Sequence, residues 1–372
     1  MEYLGKDIPK LGFGLMRLPL IGEEIDIEQT KQMVDLFLAK GFTYFDTAYG
    51  YFNGKSEEAV KTVLVDRYPR ESFQLATKLP AWIASSEEEA KKMFETSLRR
   101  TGAGYFDFYL MHNISEKRKE AFDKYKIWDY LRELKEKGLV RHIGFSYHDK
   151  AALLDKILTE LPDVEFVQLQ INYADWESDS VESRKCYEVA LKHNKPIIIM
   201  EPVKGGVLAN PGPKINQIFK EANPEASLAS WAIRFAASLD NVITVLSGMS
   251  NLEQMKDNIS YMEHFQPLND YEREVIRRAQ EALKEIPSIP CTSCQYCVKD
   301  CPQQINIPFF FVAMNRNLIF GDLKGAKFEY KMAMKFGSED PAKCIACGNC
   351  ERVCPQQLKI IDHLKDAVQL LS

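Results

Sequence analysis

The chain has 372 residues, of which 45% are hydrophobic and 27% charged, and a formal net charge of −5. This length predicts one large domain plus a small one, with the composition of an ordinary globular protein. The mild acidity gives no reason to expect nucleic acid or an anionic membrane as partner, no N-terminal stretch resembles a signal peptide, and no apolar run reaches the roughly 18 residues needed to span a bilayer.

The first segment, Met1–Lys10, is expected to cap one end of the large domain. From there to about residue 285, short apolar runs alternate with longer amphipathic stretches. Strands are predicted at Leu11–Gly14, Thr43–Phe45, Phe73–Thr77, Phe106–Met111, Val140–Phe145, Phe166–Gln170, Pro196–Met200 and Val242–Leu246. Helices are predicted at Ile27–Lys40, Ser56–Asp66, Ser86–Arg100, Glu120–Lys137, Lys150–Thr159, Ser180–His193, Glu225–Ser238 and Leu252–His264. Apolar strands buried on both faces, each leading into a helix, predict a parallel sheet. Eight such units in about 260 residues fit a closed (β/α)8 TIM barrel, an α/β fold. An open doubly wound sheet is the alternative, weakened because Gly12-Phe13-Gly14 runs on into Leu15, Met16 and Arg17, and no Gly-x-Gly-x-x-Gly comes after any strand.

A last helix at about Asp270–Glu285 gives way to Ile286-Pro287-Ser288-Ile289-Pro290, which sets the boundary between residues 1–285 and 286–372. The tail carries Cys-x-x-Cys-x-x-Cys-x-x-x-Cys-Pro twice, at Cys291, Cys294, Cys297, Cys301 and at Cys344, Cys347, Cys350, Cys354. Three thiolates at this spacing wrap one iron–sulfur cubane and the fourth reaches another. The expected sets are Cys291, Cys294, Cys297 and Cys354 for one [4Fe–4S] cluster, and Cys344, Cys347, Cys350 and Cys301 for a second. Structural zinc is the rival, but it favours paired Cys-x-x-Cys knuckles. Helix-like stretches at Phe309–Asn317 and near Lys324–Lys335 predict a small, mainly helical ferredoxin-like domain. Eight of the nine cysteines would have to stay reduced, so the expected compartment is the cytoplasm. The ninth, Cys186, reads as a packed thiol in a helix.

In a barrel, chemistry belongs at the carboxyl ends of the strands. Three consecutive apolar runs stop on an ionisable residue, at Asp46, Lys78 and His112, and Tyr51 lies in the loop after Asp46. A strand-terminal polar residue is commonly a solvated edge; three on adjacent strands with a tyrosine in reach point to a site. Tyr51 would protonate a carbonyl oxygen as hydride reaches carbon. A phenol of ordinary pKa near 10 needs help at neutral pH, which the Lys78 cation would give. Asp46 would hold Lys78, and His112 would orient the substrate oxygen.

Those residues, within Phe45-Asp46-Thr47-Ala48-Tyr49-Gly50-Tyr51, Thr77-Lys78 and Leu110-Met111-His112, resemble the tetrad of the aldo-keto reductases in order and spacing. With the tail, the chain resembles aldo-keto reductases carrying a C-terminal two-cluster domain. The resemblance implies a nicotinamide cofactor, NADP(H) or NAD(H), and a small-molecule carbonyl or alcohol substrate. It implies cofactor contacts at Gly14, Leu15, Met16, Asp46, Ser146, Gln168, Met200, Pro202, Val203, Lys204, Gly248, Ser250, Gln254, Asp257 and Asn258. The match departs at Tyr147, where the family usually has Asn, and at Met200, where a stacking Tyr is common. Glu201 and Lys204 stand where the family tends to be small or hydroxylic; Lys204 reads either as a pyrophosphate ligand or as a solvated loop residue. Gly248 and Gln254 lack the cations that select a 2′-phosphate, leaving the choice between NAD(H) and NADP(H) open. Met16, Tyr49, Trp82 and Trp176 suggest an apolar rim. Since hydride transfer moves two electrons and a cubane accepts one, three readings stand: a carbonyl reductase coupled or adjacent to two clusters, an electron-transfer protein whose clusters serve a redox protein partner, or a docking scaffold without catalysis, which the four residues resembling the family's tetrad disfavour.

Overall fold

A computed structural model of the chain describes residues 4–335 and 337–372; Met1–Tyr3 of the expected cap lie outside the described residues. The chain forms two compact units: Met1–Pro202 with Ala232–Leu268, and Val203–Trp231 with Asn269–Ser372. No helix among the described residues is long and apolar enough to cross a membrane.

The first unit is built on eight parallel strands: β1 Leu11–Gly14, β2 Tyr44–Asp46, β3 Gln74–Leu79, β4 Phe106–Ile114, β5 Val140–Tyr147, β6 Phe166–Gln170, β7 Ile197–Met200 and β8 Val242–Ser247. Each pairs with its neighbours in sequence, and β8 closes on β1 through Phe13 and Ser247. The sheet is the expected (β/α)8 barrel. Every residue of β4 is buried, as a strand covered on both faces requires. Tyr44, Ala76, Phe108, Leu110, Phe166 and Ile198 cluster together, with Leu4 and Ile8 packed against them. At Gly144 a Cβ would lie 2.5 Å from the Phe166 carbonyl oxygen, so a side chain there would force β5 from β6.

The helices arise from capping and spacing. In Glu87–Thr101 the Ser86 side chain accepts from the Glu89 amide at 3.1 Å, Glu87, Glu88 and Glu89 fill the first turn, and Arg99 and Arg100 fill the last. These charges complement the helix dipole, and left-handed Gly102 ends the helix. Its apolar positions Ala90, Met93 and Phe94 recur at helical spacing and are buried.

Three local expectations are corrected. The runs expected to stop before Lys78 and His112 extend through them: Lys78 pairs opposite Leu110, and beyond His112 Ile114 pairs opposite Tyr147 after a shift of register. The single helix expected over Glu120–Lys137 is two, Glu116–Lys124 and Ile127–Glu136, broken where Lys126 turns left-handed at φ 50°. That break lets Phe122, Tyr125 and Ile127 all be buried, offsetting the roughly 1–2 kcal/mol cost of the left-handed residue.

In the second unit, helices Ile307–Phe320, Leu323–Lys335 and Ile360–Leu371 surround a core that includes Phe310, Phe311, Tyr330 and Leu364. Short helices Tyr296–Lys299 and Asn349–Val353 each carry the third cysteine of a run. Within the same unit, helix Pro213–Ala222 packs on helix Asp270–Leu283.

Candidate active site

Asp46 closes β2, Lys78 lies in β3 and His112 in β4, so register alone brings them to one end of the barrel. Tyr51 is delivered by the loop after β2. There Phe52 (φ 49°), Asn53 (φ 56°) and Gly54 (φ 96°) are left-handed in succession, a conformation that costs a non-glycine residue about 1–3 kcal/mol and persists only where packing over-determines it. At Gly54 any side chain would strike the Arg100 guanidinium, 2.6 Å from a Cβ. That guanidinium donates to the Tyr49 carbonyl (3.0 Å) and to buried Glu57 (3.2 Å), and Glu57 accepts from Thr77 Oγ1 at 2.7 Å. The loop is thereby tied to β3.

The Lys78 ammonium is 1% exposed and has three N–H groups to place. It donates to Asp46 Oδ1, to the Thr47 carbonyl at 2.7 Å, and to the Tyr51 hydroxyl at 3.5 Å. The other Asp46 oxygen accepts from Gln168 Nε2 at 3.1 Å. Burial pulls the Lys78 ammonium down from its ordinary value, and the Asp46 carboxylate opposes this. The His112 ring meets the Tyr51 ring at 6.0 Å and 80°, and the Trp82 ring at 5.4 Å. Burial, then the Lys78 and Arg118 cations and His148, hold His112 well below the usual histidine range. Its imidazole is therefore neutral and offers one N–H. His148 is pulled down to about 3 by burial and by Arg118 and Lys78, against a hydrogen bond with Gln170. A phenol backed by an ammonium beside a neutral imidazole can deliver a proton to an oxygen that gains negative charge and take it back.

Of the residues expected to contact a cofactor, Gly14, Asp46, Ser146, Gln168 and Met200 sit at or near the carboxyl ends of their strands, with Ser146 opposite Gln168. Ser146 Oγ accepts from the Asn113 amide at 2.7 Å and keeps its own O–H. Gln168 engages Asp46 through one N–H. One hydroxyl donor beside one amide group suits a carboxamide, so these residues fit a nicotinamide. Tyr147 instead donates to the Lys150 carbonyl at 2.6 Å. Buried Leu15 donates its amide to Asp46 O at 2.8 Å, while Met16 is half-buried and Pro202 buried. After β8, buried Asn258 meets Ser247 Oγ at 2.6 Å and lies 3.4 Å from Asp257, while Gln254 accepts from the Ser250 amide at 2.8 Å. A Cβ at Gly248 would meet the Arg17 side chain at 3.3 Å. Val203 and Lys204 belong to the second unit; Lys204 is buried there, with φ 50°.

Trp176 packs on Tyr187 and Phe235, and the Tyr49 ring lies under Arg100. Burial pushes the Cys186 thiol up to about 12, which suits packing and not nucleophilic attack. No sequence signal marks Arg118, His148 or Glu57, which stand in charged or polar runs that read as solvated.

In the second unit the cysteines gather into two sets. Cys291, Cys294, Cys297 and Cys354 line a pocket with Pro308, Phe311 and Leu358. Cys301, Cys344, Cys347 and Cys350 line another with Ile305, Ile361 and Leu364. Among the described residues no three His, Cys, Asp or Glu side chains are grouped to hold a single ion; the thiols ring a space instead, and soft sulfur donors around such a space fit a multi-iron cluster. In the second set Cys347 is exposed, as is Ile345 beside it, while Cys297 and Cys350 are buried.

Residues 10–281 match the model of the aldo/keto reductase family, and residues 290–359 that of the 4Fe-4S dicluster domain. An uncharacterized oxidoreductase, YqkF of Bacillus subtilis, is 24% identical over 68% of this chain and 87% of its own. An aldo-keto reductase of Mycolicibacterium smegmatis is 31% identical over 38% of this chain, and the match spans about half of that relative (47%). Among solved structures, aldo-keto reductase AKR11C1 from Bacillus halodurans in its holo form has a TM-score of 0.61 at 24% identity, covering 75% of this chain and 95% of its own. An aldo/keto reductase from Klebsiella pneumoniae, in complex with NADP and acetate, has a TM-score of 0.59 at 19% identity, covering 73% and 92%. These two likenesses concern the fold.

Proposed function

Because this chain belongs to the aldo/keto reductase family and carries a 4Fe-4S dicluster domain, we propose that it interconverts carbonyls and alcohols with NADP(H) or NAD(H), in a chain that also holds two [4Fe–4S] clusters. The observation that carries this reading is the Lys78 ammonium spanning Asp46 and the Tyr51 hydroxyl, beside His112. When bound, the dihydronicotinamide supplies hydride to the carbonyl carbon. Tyr51 gives its phenolic proton to the carbonyl oxygen, and Lys78 stabilises the phenolate left behind. Asp46 fixes Lys78, and the neutral His112 N–H orients the substrate oxygen. Ser146 and Gln168 hold the carboxamide end of the cofactor, with Met200 against the ring. The other expected contacts of the first unit are assigned to the same cofactor, with its adenosine end at Ser250, Asp257 and Asn258. NADP(H) is supported by the Klebsiella enzyme's complex, while the absence of cations at Gly248 and Gln254 leaves NAD(H) equally open.

In this reading residues 1–285 form the reductase domain and 286–372 the cluster domain. Cys291, Cys294, Cys297 and Cys354 hold one cluster, and Cys301, Cys344, Cys347 and Cys350 the other. Each cluster supplies one-electron redox chemistry when bound. The need to keep thiols reduced supports a reducing compartment, the cytoplasm. A second reading, electron exchange with a redox protein, is favoured by the exposure of Cys347 and Ile345.

Tyr51→Phe tests the first reading. Carbonyl-dependent oxidation of NADPH or NADH should fall about 10²–10⁴-fold, with the visible cluster absorbance unchanged. Activity retained in that variant would remove Tyr51 from the role.

A further inference from the structure

Helix Ile307–Phe320 is apolar on two faces. Ile307, Phe310, Phe311 and Met314 are buried in the core of the second unit. Val312, Arg316, Ile319 and Phe320 recur at helical spacing on another face, where Val312 is 52% and Phe320 44% exposed. They line a cavity of about 450 Å³, a size that takes a small organic molecule. A solvated helix face is expected to be polar, so an apolar stripe over a cavity marks a binding surface.

The rest of the lining also belongs to the second unit. Val207 comes from the turn Lys204–Ala209. A Cβ at Gly205 would stand 2.5 Å from the Thr292 carbonyl oxygen, so this turn meets the first cysteine run backbone to backbone. Asn315 accepts from the Ile289 amide and donates to the Ile289 carbonyl, both at 2.7 Å, which ties the helix to the start of the same run. Cys291 thereby belongs both to the cavity wall and to the first cysteine set.

The charged groups in the lining are Arg316, Asp322 and Glu329. One cation against two carboxylates leaves the wall negative, which disfavours an anion. Arg316 donates through Nε to Asp322 at 2.7 Å and through Nη1 to Glu329. A guanidinium carries five N–H groups, so Arg316 keeps donors for a neutral carbonyl oxygen.

We propose that this cavity binds an uncharged quinone, its ring on Val312, Ile319 and Phe320 and a carbonyl oxygen at Arg316, where it takes electrons from the cluster held by Cys291. Two electrons, received one at a time as the cluster is oxidised, and two protons from solvent convert the two C=O groups to C–OH. An external one-electron reductant recharges the cluster. The electron step rests on the reading that Cys291 ligates a [4Fe–4S] cluster.

The test uses the full-length holoprotein and 2,3-dimethyl-1,4-naphthoquinone, whose methyl groups block addition of thiols. In equilibrium dialysis the native protein should bind this quinone about tenfold more tightly than its 6-sulfonate, and Arg316→Met should weaken the quinone by about tenfold. Val312→Trp, which fills the cavity from an exposed position, should lose one bound quinone per chain and keep the visible cluster absorbance. After anaerobic reduction with dithionite and its removal, the quinone should restore the oxidised cluster absorbance several-fold more slowly in Val312→Trp than in native protein. Tyr51→Phe should change neither reading, so a failure of the barrel chemistry is told apart from a failure of this site. Equal binding of quinone and sulfonate, full uptake by Val312→Trp, or equal rates of reoxidation in the two proteins overturns the proposal. So does a dimer that Val312→Trp splits while no quinone binds, since the stripe would then be an interface between copies.

Discussion

At the barrel mouth, polar groups are satisfied by one another: Lys78 by Asp46, Thr47 and Tyr51, Asp46 also by Gln168, and Glu57 by Thr77 and Arg100. The cysteine-lined voids are organised differently. Their walls are thiols backed by side chains such as Phe311, Leu358 and Leu364, and burial pushes the Cys350 thiol up to about 11. Such sulfurs become thiolates through the metal they ligate. The first arrangement makes these bonds within the folded chain itself, and the second is completed by its occupant. Only the second should make folding depend on iron.

The largest expected effect tests that contrast. Stripping iron from the full chain with a chelator should collapse amide-exchange protection in Ile307–Phe320 and Ile360–Leu371, and leave it intact in β4. Equal loss in both places would erase the distinction. Cys347→Ala should lower iron content by half and leave the barrel strands protected.

A smaller effect probes the barrel alone. Lys78→Met leaves the Asp46 carboxylate buried without its cation, and should destabilise the barrel by about 3–5 kcal/mol. Adding Asp46→Asn should recover much of that, as read by denaturant unfolding of the two variants. If the double variant is no more stable than the single one, the pair is not coupled as the geometry implies.

A further effect is on pH. His112 and His148 are held below their unfolded value, so the unfolded chain binds more protons. Their contribution to stability is full above about pH 6.5 and is lost as pH falls from there towards the folded values, by up to about 1.4 kcal/mol per pH unit for each imidazole. His148→Asn should flatten the slope between pH 6 and 4. A slope unchanged in that variant would place the acid sensitivity elsewhere.

Much of the barrel was legible because its strands are short apolar runs: Leu11–Gly14 and Phe166–Gln170 are found at the limits their composition predicts. Where strands run past their apolar residues, at Lys78 and His112, the sequence could not show it, since backbone pairing is indifferent to side-chain polarity. That Asp46, Tyr51, Lys78 and His112 would gather in one place was legible from order and spacing. Arg118 was not, because Glu116-Lys117-Arg118-Lys119-Glu120 reads as a solvated charged turn, and only the fold lays one of those cations on Trp82. Glu57 was hidden in the same way within Lys55-Ser56-Glu57-Glu58, where the polar run gives no hint that one carboxylate is fully buried. Helices Pro213–Ala222 and Ile360–Leu371, both amphipathic, went unread beside the stronger signals of the strands and cysteines.

The unequal exposure of the two cysteine sets has a thermodynamic consequence. A cubane gains negative charge on reduction, and water stabilises the more charged form better than an apolar wall does. The set that includes exposed Cys347 would therefore have the higher potential, and the set around buried Cys297 the lower. An electron passed between the two would run downhill towards the set that includes Cys347, giving the pair a built-in polarity.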